Sequence, residues 1–394
     1  MDSFAAIPAT VERLLTGASE REPLASETLG ALDGRYERVL VVYFDAFGWW
    51  LAERHAGHSL LARAHEEGVV RKLTSQFPST TAAHTTTIHS GLPVSEHGVY
   101  EWFVLEPSLD RLIAPLLFSF AGDKARETLR ATALEPADVF PTNTIYRRLA
   151  AAGVLSHVAQ SAEFTPSSAS DLLLRGANVL PFTRQRDGLA EIAAALSGPG
   201  PAYGLVYLDE LDALMHVYGP ADPRVDDEVD ATLTSIERAL AGLPEGTLVL
   251  LTADHGMSPV APKTTIYVNT LWPELERHLR RGSDGKPLAP AGSCRDLFLH
   301  VLPGHLEDAC AGLRDRLHGR AEVLPVAALL ASGAFGPTPS DRLLERLGDV
   351  VVLPEVGEAT FWLEPGRFEQ HLRGQHGGLS PVEREIPLVA FVSS

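Results

Sequence analysis

Positive charge is scarce in this 394-residue chain: 33 Lys and Arg stand against 51 Asp and Glu, a formal net charge of −18. Lysine supplies only 4 of those cations and arginine 29, and with abundant Ala this points to a GC-rich bacterial genome rather than to chemistry. The deficit excludes a broad polyanion-binding surface, because attraction to nucleic-acid polymers or anionic lipid needs a basic patch. A small phosphate ester is still admissible, since carboxylates can hold a cation that binds the anion. Cysteine is nearly absent. Cys294 and Cys310 can make one bridge at most and lack metal-finger spacing, so a disulfide scaffold is excluded and a reducing compartment expected. No apolar run is long enough to span a bilayer. The opening MDSFAAIPATVERLL carries acidic residues in place of a basic start and an apolar stretch. The expectation is a soluble cytoplasmic protein without membrane or nucleic-acid partners; its oligomeric state is not legible.

With 45% hydrophobic and 21% charged residues the chain can bury a full core, and its length suits one large domain or one domain with an insertion. Apolar runs at Val39 to Phe44, Val154 to Ala159, Gly204 to Leu208, Thr247 to Thr252, Val350 to Leu353 and Leu388 to Val392 predict buried strands. Ala- and Leu-rich stretches such as Leu189 to Leu196 and Val229 to Leu240 predict helices between them. That alternation gives an α/β fold with a mainly parallel sheet sandwiched by helices. Residues 259–374 read differently, with strand-like Leu297 to Leu302, helical Glu307 to Leu317 and strand-like Thr360 to Glu364 between Gly- and Pro-rich pieces. They predict an inserted α+β subdomain or cap on a core of 1–258 and 375–394.

In such sheets ligands bind at the carboxyl ends of the strands, so the polar residues after each run matter most. Asp45 follows VVYF directly; a helix cap or turn would also explain it. After GLVYL come Asp209 and, four apart on one helical face, Asp212 and His216. That pair could share a divalent cation or form a solvated ion pair, and Asp209 competes as a ligand. Asp254 and His255 follow LVLL and precede Gly256, which permits a tight backbone. His376 sits among glycines in Gly374-Gln-His-Gly-Gly378. Together these supply the donor set of two zinc ions, each with about four N or O ligands and an open position. Manganese or iron would accept the same donors.

A nucleophile candidate lies in FPSTTAAHTTTIHSGLP, residues 77–93, where Ser79, Thr80 and Thr81 stand at the start of a predicted helix. A helix N-terminus favours a phosphate and a developing alkoxide, and a metal-bound hydroxyl ionises readily. Ordinary N-capping explains one of these hydroxyls equally well. His84 and His89 read as packed helix residues, His97 as a turn former before Gly98, and Asp222, Asp226, Asp227, Glu228 and Asp230 as a solvated helix start. Trp49, Trp50 and Trp102 could line a substrate mouth, with packing in the core or at the rim the simpler expectation.

In chain order VVYFDAFG, FPSTTAAHTTTIHSGLPVSEHG, LDELDALMHVYGP, LTADHGM and GQHGG resemble the alkaline phosphatase superfamily, in its type I phosphodiesterase and nucleotide pyrophosphatase branch, from about Val41 to Gly378. The resemblance implies one zinc on Asp212, His216 and His376, and a second on Asp45, Asp254, His255 and the nucleophile oxygen. Counting back from Gly91 places the nucleophile at Thr81, with Thr80 one residue away. The implied reaction is in-line attack on a phosphodiester or pyrophosphate through a covalent phospho-threonine. The chain departs from the branch at His97-Gly-Val-Tyr-Glu101-Trp102, where an Asn is usual; Glu101 and Trp102 become candidate substrate contacts there. Phosphonate hydrolases share the metal layout and a Thr nucleophile, so phosphonates stay open beside diesters, as does a phosphomonoesterase. A metal-binding protein without turnover is the non-enzymatic alternative. No Cys/Ser-x-Pro-x-Arg sulfatase run and no Gly-x-Ser-x-Gly elbow occurs.

Overall fold

Five of the six apolar runs become strands of one seven-stranded sheet in the computed structural model, which describes residues 2–393. In chain order these strands are β1 (Arg38–Phe44), β2 (Val69–Thr74), β3 (Leu155–Ser161), β4 (Asn178–Phe182), β5 (Ala202–Leu208), β6 (Leu248–Thr252) and β7 (Glu385–Val392). Across the sheet they run β2-β7-β6-β1-β5-β3-β4. β1 pairs in parallel with β5 and β6, and β3 with β5 and β4, while β7 alone is reversed, antiparallel to both β6 and β2. The central strands are apolar throughout because helices cover both faces, leaving no wet side to demand alternation. The edge strands β2 and β4 escaped the sequence reading for the opposite reason: VVRKLT and NVLPF are partly exposed and carry no continuous apolar run.

Register decides the site. Tyr43 of β1 lies level with Tyr207 of β5 and Thr252 of β6, so the three strands end side by side. Asp45, Asp209 and Asp254 therefore leave the sheet at one edge. The helices that matter are α1 (Thr81–Ser90), α2 (Gln185–Leu196), α3 (Glu210–Tyr218) and α4 (Pro223–Leu240). α4 begins at Asp222, whose carboxylate accepts from the Arg224 N–H, and Asp226 in its first turn pairs with Arg54 at 2.6 Å. The acidic run there is a helix start, as its spacing predicts.

Val350 to Leu353 does not join the main sheet. It lies in a second, antiparallel sheet with Ala291–Gly292, Leu297–Leu299 and Ala321–Pro325. A three-stranded antiparallel piece from Val104 to Phe120 adjoins it through a Phe103–Gly292 bridge. A second apolar core accordingly mixes Phe77, Tyr100, Ile113 and Phe140 with Phe298, Leu313 and Val351. The chain leaves the main sheet along Ser258–Pro259 and returns beside it, antiparallel, as Gly374–Gln375. Cys294 and Cys310 are both free and buried. No helix among the described residues is long and apolar enough to cross a membrane.

Candidate metal centre

Two groups of donors converge at the common strand edge. In the first, Asp45, Asp254 and His255 offer atoms within 4.8 Å of one another, all buried. His255 Nε2 lies 3.4 Å from Asp45 Oδ1 and 3.3 Å from Asp254 Oδ2, and accepts from the Thr81 hydroxyl at 3.1 Å. Tyrosines on the strands hold the carboxylates: Tyr43 donates to Asp254 at 2.9 Å and Tyr207 to Asp45. The Ala46 and His255 N–H groups donate to the other Asp254 oxygen. Gly256 answers a need for space: a Cβ there would meet the Val382 carbonyl at 2.1 Å.

The second group is Asp212, His216 and His376, again within 4.8 Å. Asp212 and His216 sit one turn apart on α3, with Asp212 Oδ2 3.3 Å from His216 Nε2. His376 comes from the returning loop, its Nε2 3.8 Å from Asp212 Oδ1. The His376 and His255 rings stack with centroids 3.5 Å apart, so the two groups are neighbours. Asp209, the competing carboxylate, stays outside both groups; burial lifts it to about 6.

Hydrogen bonds at Nδ1 settle what these imidazoles present. His255 Nδ1 donates to the Gly256 carbonyl, His216 Nδ1 to Gly374 and His376 Nδ1 to Ser79, at 3.0, 2.8 and 2.9 Å. With Nδ1 protonated, a neutral ring turns its Nε2 lone pair toward the carboxylates. Burial reinforces neutrality, lowering His255 to about 4 and His376 to about 3. For His216, burial is outweighed by Asp212, which raises it; Asp212, despite burial, is held below its usual range by His216, His376 and His255. Asp45 is pushed well upward by burial, Asp254 and Asp212. Asp45 Oδ1 and Asp212 Oδ1 are buried without a hydrogen-bond partner. Neutral imidazole nitrogens facing carboxylates, with orphaned carboxylate oxygens among them, are the surroundings that a cation would satisfy. The donor set fits divalent metal, and backbone carbonyls behind the imidazoles are the usual support for metal-binding histidines.

Thr80 and Thr81 are separated by their bonding. The Thr80 hydroxyl donates to the Tyr100 carbonyl at 3.1 Å and accepts from the Ala83 N–H as the N-cap of α1. The hydroxyl of Thr81, the first helical residue, faces His255. His84 bonds Ser75, Gln76 and Thr80, His89 bonds Tyr146, and His97 bonds Thr87 and Val99, so all are packed. Glu101 is fully buried against Asp296, and burial raises it to about 7. Trp102 is 40% exposed at the mouth of a cavity of about 620 Å³ that Thr81, Asp45, Asp212, His216 and His376 also line.

Several site residues escaped the sequence reading. Tyr43 and Tyr207 were detectable, because a Tyr inside a buried strand needs a partner for its hydroxyl and Tyr43 shares a face with Asp45. Ser79 gave less signal: its hydroxyl donates to the Gly378 carbonyl at 2.9 Å and accepts from Gly377 N–H at 3.2 Å, tying the helix entry to the His376 loop. Behind that loop a buried Arg295–Glu383 pair gave none.

A mainly parallel sheet with a metal-type donor cluster at its carboxyl edge defines a metal-dependent hydrolase of the alkaline phosphatase superfamily. Within it, the profile of the type I phosphodiesterase / nucleotide pyrophosphatase family matches residues 39–378, and the chain belongs to that family. Among solved structures, an inactive threonine-to-alanine variant of murine ectonucleotide pyrophosphatase / phosphodiesterase 5 in complex with AMP aligns with TM-score 0.65 and 18% identity, over 90% of this chain and 87% of that one. The human counterpart gives 0.65 and 17% over the same shares. Phosphonoacetate hydrolase from Sinorhizobium meliloti 1021, in complex with phosphonoacetate, gives 0.62 and 18%, over 90% of this chain and 89% of that one. At these identities the likeness is one of fold. No curated protein sequence matches this chain.

Proposed function

We propose that this hydrolase cleaves phosphodiester or pyrophosphate bonds at a two-metal centre, with Thr81 as nucleophile. The observation that carries the reading is the set of imidazole lone pairs and orphaned carboxylate oxygens around the Thr81 hydroxyl. Asp212, His216 and His376 would hold one divalent ion, and Asp45, Asp254, His255 and Thr81 Oγ1 the other; zinc suits these donors. Such ions supply the positive charge that eases ionisation of a hydroxyl and neutralises phosphoryl oxygens. Thr81 Oγ1 attacks phosphorus in line; the bond to the leaving oxygen breaks, and water later releases the phospho-threonine. The N-terminus of α1 directs free N–H groups and its positive end at the charge that develops. Tyr207 and Tyr43 keep the carboxylates oriented, and Ser79 holds the His376 loop beside the nucleophile. The inactive threonine variant of the murine relative supports a threonine in this role. We assign 1–258 and 375–394 as the catalytic core and 259–374 as an inserted cap, supported by the pairing of Ser258–Pro259 with Gly374–Gln375.

The test compares bis(p-nitrophenyl) phosphate, p-nitrophenyl phosphate, a dinucleotide and phosphonoacetate on the zinc-loaded protein. Diester cleavage should dominate and vanish in Thr81→Ala with metal retained. A preference for the monoester or the phosphonate would overturn the substrate class and leave the centre standing; full activity of Thr81→Ala would overturn the nucleophile.

A further inference from the structure

The loop that carries His376 is met by two carboxyl groups that the metal centre does not use. Glu101 and Asp296 are both 0% exposed and stand within hydrogen-bonding reach of each other. Glu101 Oε2 accepts from the Trp102 N–H. Asp296 Oδ1 accepts from the Ser293 N–H at 3.3 Å and from the Ser293 hydroxyl at 2.7 Å. Glu101 Oε1 and Asp296 Oδ2 are left buried with no donor. Neither group has an ion-pair partner among the described residues. Arg295, next to Asp296 in sequence, is spent on Glu383 and on the Glu355 and Glu358 carbonyls.

Gly377 is the point on which they close. A Cβ there would lie 2.7 Å from Asp296 Oδ1, 2.9 Å from Glu101 Oε1 and 2.9 Å from Ser293 Oγ, so three oxygens press on the backbone beside His376. The Ser293 hydroxyl also lies 3.2 Å from the His376 carbonyl. The segments that supply the pair are tied together nearby, where the Gly292 N–H donates to the Phe103 carbonyl at 2.8 Å. Two carboxylates so close in a dry site cannot both ionise, because desolvation and mutual repulsion each favour the neutral form of one. One proton between them removes the repulsion and supplies the donor that the orphaned oxygens lack. Burial accordingly raises both groups, Glu101 to about 7 and Asp296 well above its usual range, the latter with repulsion from Glu101 added.

We infer that Glu101 and Asp296 share one proton and act as a positioning pair, a clasp that holds the turn 292–296 and the segment at Trp102 against Gly377 and so keeps His376 in place for a metal. The shared proton is independent of the two-metal hydrolytic reading; its consequence at His376 rests on that reading. The clasp carries one negative charge, so an amide in place of one carboxyl reproduces both its charge and its hydrogen bond. An apolar replacement removes the bond and leaves a buried carboxyl without its partner. Groups that support a metal-binding histidine from behind are worth about ten- to a hundredfold in metal affinity or activity.

Infrared difference spectroscopy and zinc release to a chelator test this on the zinc-loaded protein, with Asp296→Asn and Asp296→Leu. The unmutated protein should show the carbonyl stretch of a protonated carboxyl, shifted in deuterium oxide, which Asp296→Asn lacks. Asp296→Asn should hold zinc as the wild type does, because its amide donates to Glu101 while its oxygen still accepts from Ser293. Asp296→Leu should release zinc at least about tenfold faster. The infrared band and the Asp296→Asn protein decide the matter even where Asp296→Leu fails to fold. Absence of the band, zinc lost from Asp296→Asn as fast as from Asp296→Leu, or a third metal ion that Asp296→Asn releases would each overturn the shared proton. Unchanged zinc release from Asp296→Leu would overturn the positioning role. The band and zinc retention as expected, without turnover of bis(p-nitrophenyl) phosphate, would support the pair and count against the hydrolytic reading alone.

Discussion

Replacing Arg295 by Met should damage the metal centre from behind. Arg295 and Glu383 are 1% and 0% exposed at their side chains and form a bidentate pair, both contacts 2.9 Å. The guanidinium also donates to the Glu355 and Glu358 carbonyls at 2.7 and 2.6 Å. Glu383 in turn accepts from the Gly378 N–H at 3.1 Å and from the Ser380 hydroxyl, fixing the loop that presents His376. Removing one partner of a buried pair leaves an uncompensated charge, at a cost of about 3–5 kcal/mol. Denaturant unfolding of Arg295→Met should show a loss of that order, and zinc should leave faster during chelator challenge because the His376 loop loosens. Adding Glu383→Leu should recover much of the stability, since no buried charge remains. It should not restore zinc retention, because Gly378 then loses its acceptor, the Glu383 carboxylate. A single variant within about 1 kcal/mol of wild type and with unchanged zinc release would refute the clamp.

The two threonines should separate cleanly. Thr80→Ala removes the α1 cap and should cost about 1 kcal/mol in unfolding experiments while turnover persists; Thr81→Ala should do the reverse, and swapped results would exchange their roles. Chelation should abolish activity and lower the melting midpoint by several degrees, both restored by zinc, because Asp45, Asp212 and Asp254 then face one another without a cation. An unchanged midpoint would contradict a buried metal centre. Burial lowers His89 and His97 to about 3 and His300 to about 4. Unfolded, each titrates near 6.5, so below that pH the unfolded chain binds protons the folded chain refuses and stability falls as pH drops toward 4. Between about pH 7.5 and 5.5 the loss is about 1.4 kcal/mol per histidine. His89→Gln should flatten the profile by that amount; an unaltered slope would mean His89 is protonated in the fold.

The central strands and the donors at their ends were legible because both follow from simple patterns. A fully apolar run marks a strand covered on both faces, and a charged residue straight after it marks the ligand edge. Asp45, Asp254 and His255 were readable in that way, and the four-residue spacing of Asp212 and His216 placed them on one helical face. Their convergence with His376 depended on motif order, since nothing local to Gly374–Gly378 says that this segment returns to the sheet. The half-exposed edge strands lacked an apolar run. Val350 to Leu353 looks the same in sequence whichever sheet it joins, because a short buried run does not declare its partners. Arg295 and Glu383 are 88 residues apart, and neither stands in a pattern that separates it from surface charge.

Where the phosphoryl group goes tests the nucleophile most directly. Zinc-loaded protein turning over bis(p-nitrophenyl) phosphate can be quenched in acid, digested and analysed by peptide mass spectrometry. An aryl-phosphoryl adduct on Thr81, absent from Thr81→Ala and from chelated protein, is the predicted result. An adduct on Thr80 or another residue, or turnover that survives in Thr81→Ala, would contradict it.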